Sequence, residues 1–169
     1  YGTENGYDNS AMPPQTLDQA DVGVGAVESL DQWGWAVTVG DFNNDGYDDV
    51  AVGTRYEDHH GENDAGALGV IWGNSALVNQ SSSQYDLCGD SCVEAGDSYG
   101  WAIASGDFDG NGFQDIFIAD HGWDADPFPG WSNQLLLQFE SGFVDASDRL
   151  PADPDGFTHN AALGDIDND

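Results

Sequence analysis

From Trp33 onward, short apolar runs alternate with clusters of Asp, Asn and Gly. Residues 33–37, 49–53 and 66–73 are too short for helices and rich in Val, Ala, Ile and Trp, which predicts three strands. The order then returns, with strands expected at 99–103, 116–119, 133–139 and, as a short fourth, 142–147. A third round opens at 157–164. Residues 79–84, all Asn, Gln and Ser, read as a connector. Residues 1–30 are polar and hold Pro13-Pro14, so a loosely held arm is expected, with outer-strand character only in the run from Val22 to Val27. No apolar run approaches the ~18 residues of a membrane span.

Between the first two strands of each round lies an acidic turn. The first is Asp41-Phe42-Asn43-Asn44-Asp45-Gly46-Tyr47-Asp48-Asp49, and the second is Asp107-Phe108-Asp109-Gly110-Asn111-Gly112-Phe113-Gln114-Asp115. A third copy begins as Asp165-Ile166-Asp167-Asn168-Asp169. Side-chain oxygens fall at positions 1, 3, 5 and 9 of each complete copy, with Gly at position 6. Ca²⁺ takes about 6–8 oxygen ligands, and alternating carboxylates around a sharp Gly turn supply them, with the position 7 carbonyls of Tyr47 and Phe113 as further donors. Mg²⁺ fits less well, because it keeps its waters and wants a smaller octahedral site. An EF-hand would need Glu at position 12, where Val52 and Ile118 stand, and helical flanks, where strands are expected. The pattern therefore predicts a calcium loop inside a β-hairpin.

The copies start 66 and 58 residues apart. Units of this size, with three or four short strands each, point to propeller blades rather than to single solenoid coils. The division expected is an arm at 1–30, blades at 31–96 and 97–150, and the opening of a truncated third repeat at 151–169. Stacking against neighbours would complete the core of each blade.

Charge sharpens this picture. Two basic residues, Arg55 and Arg149, stand against 32 acidic ones, for a formal charge of -30. Nucleic acid and anionic membrane surfaces are excluded as partners on that ground. Disorder is not expected, because hydrophobic residues make up 39% of the chain and fall in β-patterned runs. Bound cations would relieve the self-repulsion locally and salt would relieve it by screening. No signal peptide is visible and the chain opens on Tyr1, as a processed or partial chain would.

Trp33-Gly34 and Tyr99-Gly100, the Gly-Asp-Phe turns, and Ala51-Val52-Gly53-Thr54 together resemble FG-GAP repeats, the blades of integrin α-subunit propellers. The second unit, with Ser132-Asn133-Gln134-Leu135-Leu136-Leu137-Gln138 and Gly142-Phe143-Val144-Asp145-Ala146-Ser147, is similar to the bacterial VCBS variety. The likeness covers roughly residues 33–169. It departs where the family has Gly-Ala-Pro and this chain has Gly53-Thr54-Arg55 and Ala119-Asp120-His121. The resemblance implies an all-β, calcium-binding propeller whose ring is seven-bladed in integrins, with calcium on one face and ligands on the other. Two blades and a fraction do not close such a ring, so either a longer chain or head-to-tail assembly of subunits into a filament is expected to complete it.

The remaining candidates are few. Cys88 and Cys92 lack two further soft ligands for zinc, which leaves a small-loop disulfide or two free thiols; a calcium protein in an oxidising compartment favours the disulfide. Asn79-Gln80-Ser81 is a glycosylation sequon. His59-His60 reads as a transition-metal pair or as solvated loop residues, and His121, near Asp120, Asp124 and Asp126, as a metal site or a turn. Trp33, Trp35 and Trp101 are expected beside the calcium hairpins, packed between blades. Trp123 and Trp131 are candidates for contact with a protein or carbohydrate ligand. No nucleophile elbow or phosphate-cradling loop is present, and the recognisable carboxylates are assigned to calcium. The sequence thus predicts a non-catalytic, extracellular, calcium-stabilised binding or adhesion module. A filament subunit and an accessory propeller of a larger secreted enzyme stand as alternatives.

Overall fold

The computed structural model describes residues 2–3, 6–7, 17–59, 61–73, 79–82, 95–122, 130, 132–152, 156 and 158–162. Apart from a small hairpin of β1 (Gly2–Thr3) and β2 (Gly6–Tyr7), the described strands form two four-stranded antiparallel meanders. The first runs β3 (Trp33–Gly40), β4 (Asp49–Thr54), β5 (Ala67–Ile71) and β6 (Asn79–Ser82). The second runs β7 (Ala102–Gly106), β8 (Asp115–Ala119), β9 (Gln134–Phe139) and β10 (Gly142–Asp145). The all-β architecture with repeated four-stranded sheets agrees with propeller blades.

Two readings are corrected. Residues 79–82 are not a connector but the fourth strand of the first sheet, in register with Leu68–Ile71 through Leu68↔Ser82 and Ile71↔Asn79. A polar outer strand is tolerated there because backbone pairing, not side-chain burial, holds a sheet edge. The run from Val22 to Val27 is no strand: Val22 and Val24 lie in turns, fully buried, with Trp33, Ala67 and Ile71. Gly69 permits that approach, since a Cβ there would stand 2.9 Å from Val24 Cγ2.

The two sheets pack face to face. Their shared core holds Phe42, Ala51, Leu68 and Val70 from the first unit and Tyr99, Ile103, Ile116, Ile118 and Leu136 from the second. Period-2 alternation explains the choice: Ala51 of β4 and Ile116 and Ile118 of β8 point one way, their neighbours the other. Phe42, at position 2 of the first acidic turn, reaches Phe143 of β10 at 6.2 Å between ring centres. The far face of the second sheet is filled by Leu135, Leu137 and Ala146, with a short 3-10 helix, Ser147–Arg149, beside it. On the far face of β3, Val37 and Val39 are each about half exposed, whereas the similarly exposed Trp35 lies against Arg55 and Trp101.

The closest approach between units is backbone on backbone. A Cβ on Gly53 would meet the Gly100 carbonyl at 2.2 Å, and Gly66 forms a parallel bridge with Tyr99. Gly is required at 53 by space alone, because its φ is ordinary.

Candidate metal centre

Each acidic turn closes one end of a hairpin, between Gly40↔Asp49 in the first unit and Gly106↔Asp115 in the second. Positions 4 and 6 take left-handed backbone in both, at Asn44 (φ 56) and Gly46 (φ 88), and at Gly110 (φ 75) and Gly112 (φ 91). Asn and Gly tolerate that region best, which explains those residues at those places.

The turns share one hydrogen-bond pattern. At position 1, Asp41 accepts from the Asp45 and Gly46 N–H groups at 3.0 and 2.8 Å, and Asp107 from those of Asn111 and Gly112 at 3.0 and 2.9 Å. At position 3, Asn43 and Asp109 each accept from the N–H two residues on, at 3.0 and 3.1 Å. At position 5, Asp45 and Asn111 do the same, at 3.0 and 2.8 Å. Position 9 is buried and reaches furthest. Asp49 accepts from Phe42 and Gly73, both at 2.8 Å, and Asp115 from Phe108 at 2.7 Å and Gln138 at 2.8 Å. This one carboxylate ties the start of the turn to the end of the third strand.

Every oxygen so aligned is a hard donor, which suits Ca²⁺. Asp107, Asp109 and Asp115 each offer an oxygen within 4.8 Å of the others. Ligands about 2.3–2.6 Å from one Ca²⁺ stand no more than about 5 Å apart, so this donor set fits the ion. The first turn exchanges two of the residues, with Asn43 for Asp109 and Asp45 for Asn111. Both turns therefore carry three carboxylates and one carboxamide at positions 1, 3, 5 and 9. The Tyr47 ring points to solvent and the Phe113 ring is half-buried, which leaves only their backbone carbonyls as donors.

The charge is held at a cost. Burial raises the pKa of Asp49; its Gly73 and Phe42 hydrogen bonds oppose this, and Asp45 and Asp41 add to it. Asp115 behaves alike: burial pushes it up, the Gln138 and Phe108 bonds pull it down, and Asp109 and Asp107 push it up further. A cation among these groups would reverse that repulsion.

The opposite ends of the strands hold what the sequence did not reveal. Trp33, Trp35 and Trp101 lie there, away from the acidic turns, and Trp35 is 49% exposed rather than interior. Arg55 sits among aromatic rings, its guanidinium carbon 3.5 Å from the Trp35 ring centre, 4.2 Å from that of Trp101 and 4.3 Å from that of Tyr56. In a chain this acidic, an arginine held by rings rather than by carboxylates could not be foreseen from composition. Two residues beyond Arg55, Glu57 meets the Gln19 amide nitrogen, which also lies against Asp31 and the Ala26 carbonyl; Gln19, Asp31 and Glu57 are buried. Burial, then Asp31, Glu28 and Asp58, raise the pKa of Glu57 to about 7.

His59 pairs with Glu62 through reciprocal backbone bonds of 3.0 Å. His121 is buried, not part of an open turn, and stacks on Trp101 with ring centres 3.7 Å apart. His60, Cys88, Cys92, Trp123, Asp124, Asp126, Trp131, Asp165, Asp167 and Asp169 lie outside the described residues.

A family model, the FG-GAP repeat, matches residues 33–71, from the start of β3 to the end of β5. The chain carries an FG-GAP repeat. The second sheet repeats the strand order and turn hydrogen bonds of that FG-GAP unit. Among curated relatives, integrin alpha pat-2 of Caenorhabditis briggsae is 38% identical over 98 residues, 55% of this chain and 8% of its own. Phosphatidylinositol-glycan-specific phospholipase D of Rattus norvegicus is 30% identical over 122 residues, 70% of this chain and 14% of its own. The chain thus spans only a small part of either relative. The repeat, the all-β fold and the integrin relationship support a propeller-type binding module. No helix among the described residues is long and apolar enough to cross a membrane.

Proposed function

We propose that this chain is part of an extracellular, non-catalytic β-propeller module that binds a protein or carbohydrate at a surface and is held folded by calcium. The observation that carries the reading is the second acidic turn, where three carboxylate oxygens lie within 4.8 Å of one another in a hairpin whose hydrogen bonds recur in the first. Asp41, Asn43, Asp45 and Asp49 would hold one Ca²⁺, and Asp107, Asp109, Asn111 and Asp115 another. The ion supplies charge neutralisation and a rigid hairpin; the chain supplies the oxygens and the buried position 9 anchor. Asp165, Asp167 and Asp169 would begin a third such site, and Trp123 and Trp131 remain the candidate ligand contacts.

Metal binding is then coupled to folding. A thermal melt with and without EDTA, repeated in added Ca²⁺ at several protein concentrations, tests this. Chelation is expected to lower the melting temperature by roughly 5–15 °C, the size of a few kcal/mol in a domain of this length. An unchanged melting temperature would refute it. A calcium-dependent gain that also grows with protein concentration would instead favour head-to-tail assembly, for which the exposed Val37 and Val39 of β3 offer a surface.

A second reading has support of its own. The similarity to a phospholipase D over 70% of this chain favours an accessory propeller joined to a catalytic domain elsewhere in a longer protein. Cloning the full reading frame decides between the two, since a catalytic domain would be visible in it.

A further inference from the structure

Trp35, Trp101 and His159 occupy one repeat position, because the 66 and 58 residues between them are the spacings of the acidic turns. Arg55 and His121 share another, 66 residues apart, just beyond the second strand of each unit. At the first junction between units, Arg55 lies over Trp101. At the second, both partners are imidazoles: His121 meets His159, Nε2 to Nε2, at 2.9 Å. A cation–ring contact has been exchanged for two nitrogen donors facing each other.

The His121 ring is fixed before any ligand arrives. It is buried, lies flat on Trp101 at 16° between planes, and sets Nδ1 3.1 Å from the Gly122 carbonyl. Donation from Nδ1–H to that carbonyl leaves the lone pair on Nε2, the arrangement found in metal-bound histidines. The His159 ring stands at 89° to it, with ring centres 4.4 Å apart.

Without metal the two nitrogens share a hydrogen bond, and their separations also bear on a shared ion. An imidazole nitrogen lies about 1.2 Å from its ring centre, so a linear N–H···N bond of this length would separate the centres by about 5.2 Å. Two nitrogens at about 2.05 Å from one ion, at right angles, would be about 2.9 Å apart with ring centres about 4.5 Å apart. The observed pair, 2.9 and 4.4 Å, is a hydrogen bond bent at one ring, and its nitrogens already stand at the separations that one ion with ligands at right angles requires.

We propose that His121 Nε2 and His159 Nε2 bind one divalent transition-metal ion in adjacent coordination positions, linking the second unit to the segment that opens the third. The site differs in kind from the acidic turns, because imidazole selects Cu²⁺, Ni²⁺ or Zn²⁺ where all-oxygen turns select Ca²⁺. The right angle suits the tetragonal Cu²⁺ and Ni²⁺ better than tetrahedral Zn²⁺, whose ligand nitrogens stand about 3.3 Å apart. The proposal assigns these two nitrogens alone.

The test titrates Cu²⁺ into the full chain with millimolar Ca²⁺ present, so that the oxygen sites are filled, and reads tryptophan fluorescence and calorimetric affinity. Trp101, stacked on His121, is expected to be quenched on binding. His159→Asn, at an exposed side chain, is expected to keep the circular dichroism of the parent and weaken Cu²⁺ at least 10-fold, with the quench lost at stoichiometric metal. His59→Asn/His60→Asn is expected to leave both readings unchanged. Equal Cu²⁺ affinity in the parent and His159→Asn would overturn the proposal, as would competition by millimolar Ca²⁺ or loss of the quench in the His59/His60 variant.

Discussion

Glu57 is buried beside Asp31 with one amide, that of Gln19, between them. Its pKa rises from 4.5 to about 7, first through burial and then through its acidic neighbours. A carboxyl that holds its proton more tightly folded than unfolded contributes stability below pH 4.5 and loses it as the pH climbs towards 7. Glu57→Gln, which cannot ionise, is therefore expected to raise the melting temperature at pH 8 and change it little at pH 4.5; paired melts at the two values check this. The acidic turns separate two roles in the same way. Asp109 accepts one N–H, as Asn43 does in the first turn, so Asp109→Asn is expected to be neutral in EDTA and to weaken calcium binding. Asp115 accepts two N–H groups from opposite directions while buried. Asp115→Asn would aim an amide NH₂ at one of them, so about 2–3 kcal/mol of stability should be lost even without calcium. Urea denaturation of both variants in EDTA tells the roles apart.

Among the elements, the two sheets are joined at both ends of their strands by different chemistry. At the turn end, Phe42 enters the second unit and packs near Phe143. At the other end, Gly53 and Gly100 let the backbones touch, and Arg55 lies between Trp35 and Trp101. The Arg55 Nε is buried without a hydrogen-bond partner, so the rings supply its stabilisation. Desolvated cation–ring contacts are worth about 1–2 kcal/mol each. Arg55→Gln is expected to cost about 2–3 kcal/mol, against less than about 0.5 kcal/mol for the exposed Arg149→Gln. Each variant removes one positive charge, so equal losses in urea would mean that net charge, not the rings, accounts for the effect.

At the scale of the whole molecule, a formal charge of -30 acts on every part of the fold at once. Raising NaCl from about 0.1 M to about 1 M shortens the screening length from about 10 Å to about 3 Å. The melting temperature of the chelated protein is expected to rise with salt over that range, and by less once Ca²⁺ occupies the turns and removes the closest repulsion. Melts along a NaCl series, with EDTA in one arm and Ca²⁺ in the other, measure the difference. A parallel rise in both arms would mean that the turns contribute little to the repulsion. The exposed Val37 and Val39 of β3 belong to this scale too, because the part of a sheet face that neither its neighbour nor Val22 and Val24 cover is left for the next unit in a ring.

The sequence by itself determined most strands of the two units, the hairpins that carry the acidic turns and the hard oxygen donors those turns present. These are local matters: period-2 alternation, Gly and Asn where the backbone turns left-handed, and oxygens spaced along nine consecutive residues. Tertiary structure decided the rest. The Ser and Gln segment at 79–82 became a strand because β5 had an open edge, and Val22 and Val24 were buried because Gly69 left room for them. The Arg55 and Trp101 contact, the His121 and His159 pair, and the Gln19, Asp31 and Glu57 cluster each join residues 12 to 46 positions apart. Trp101 and His121 stood out in the sequence but their partners did not, and the chemistry of each pair arises only when packing brings the two together.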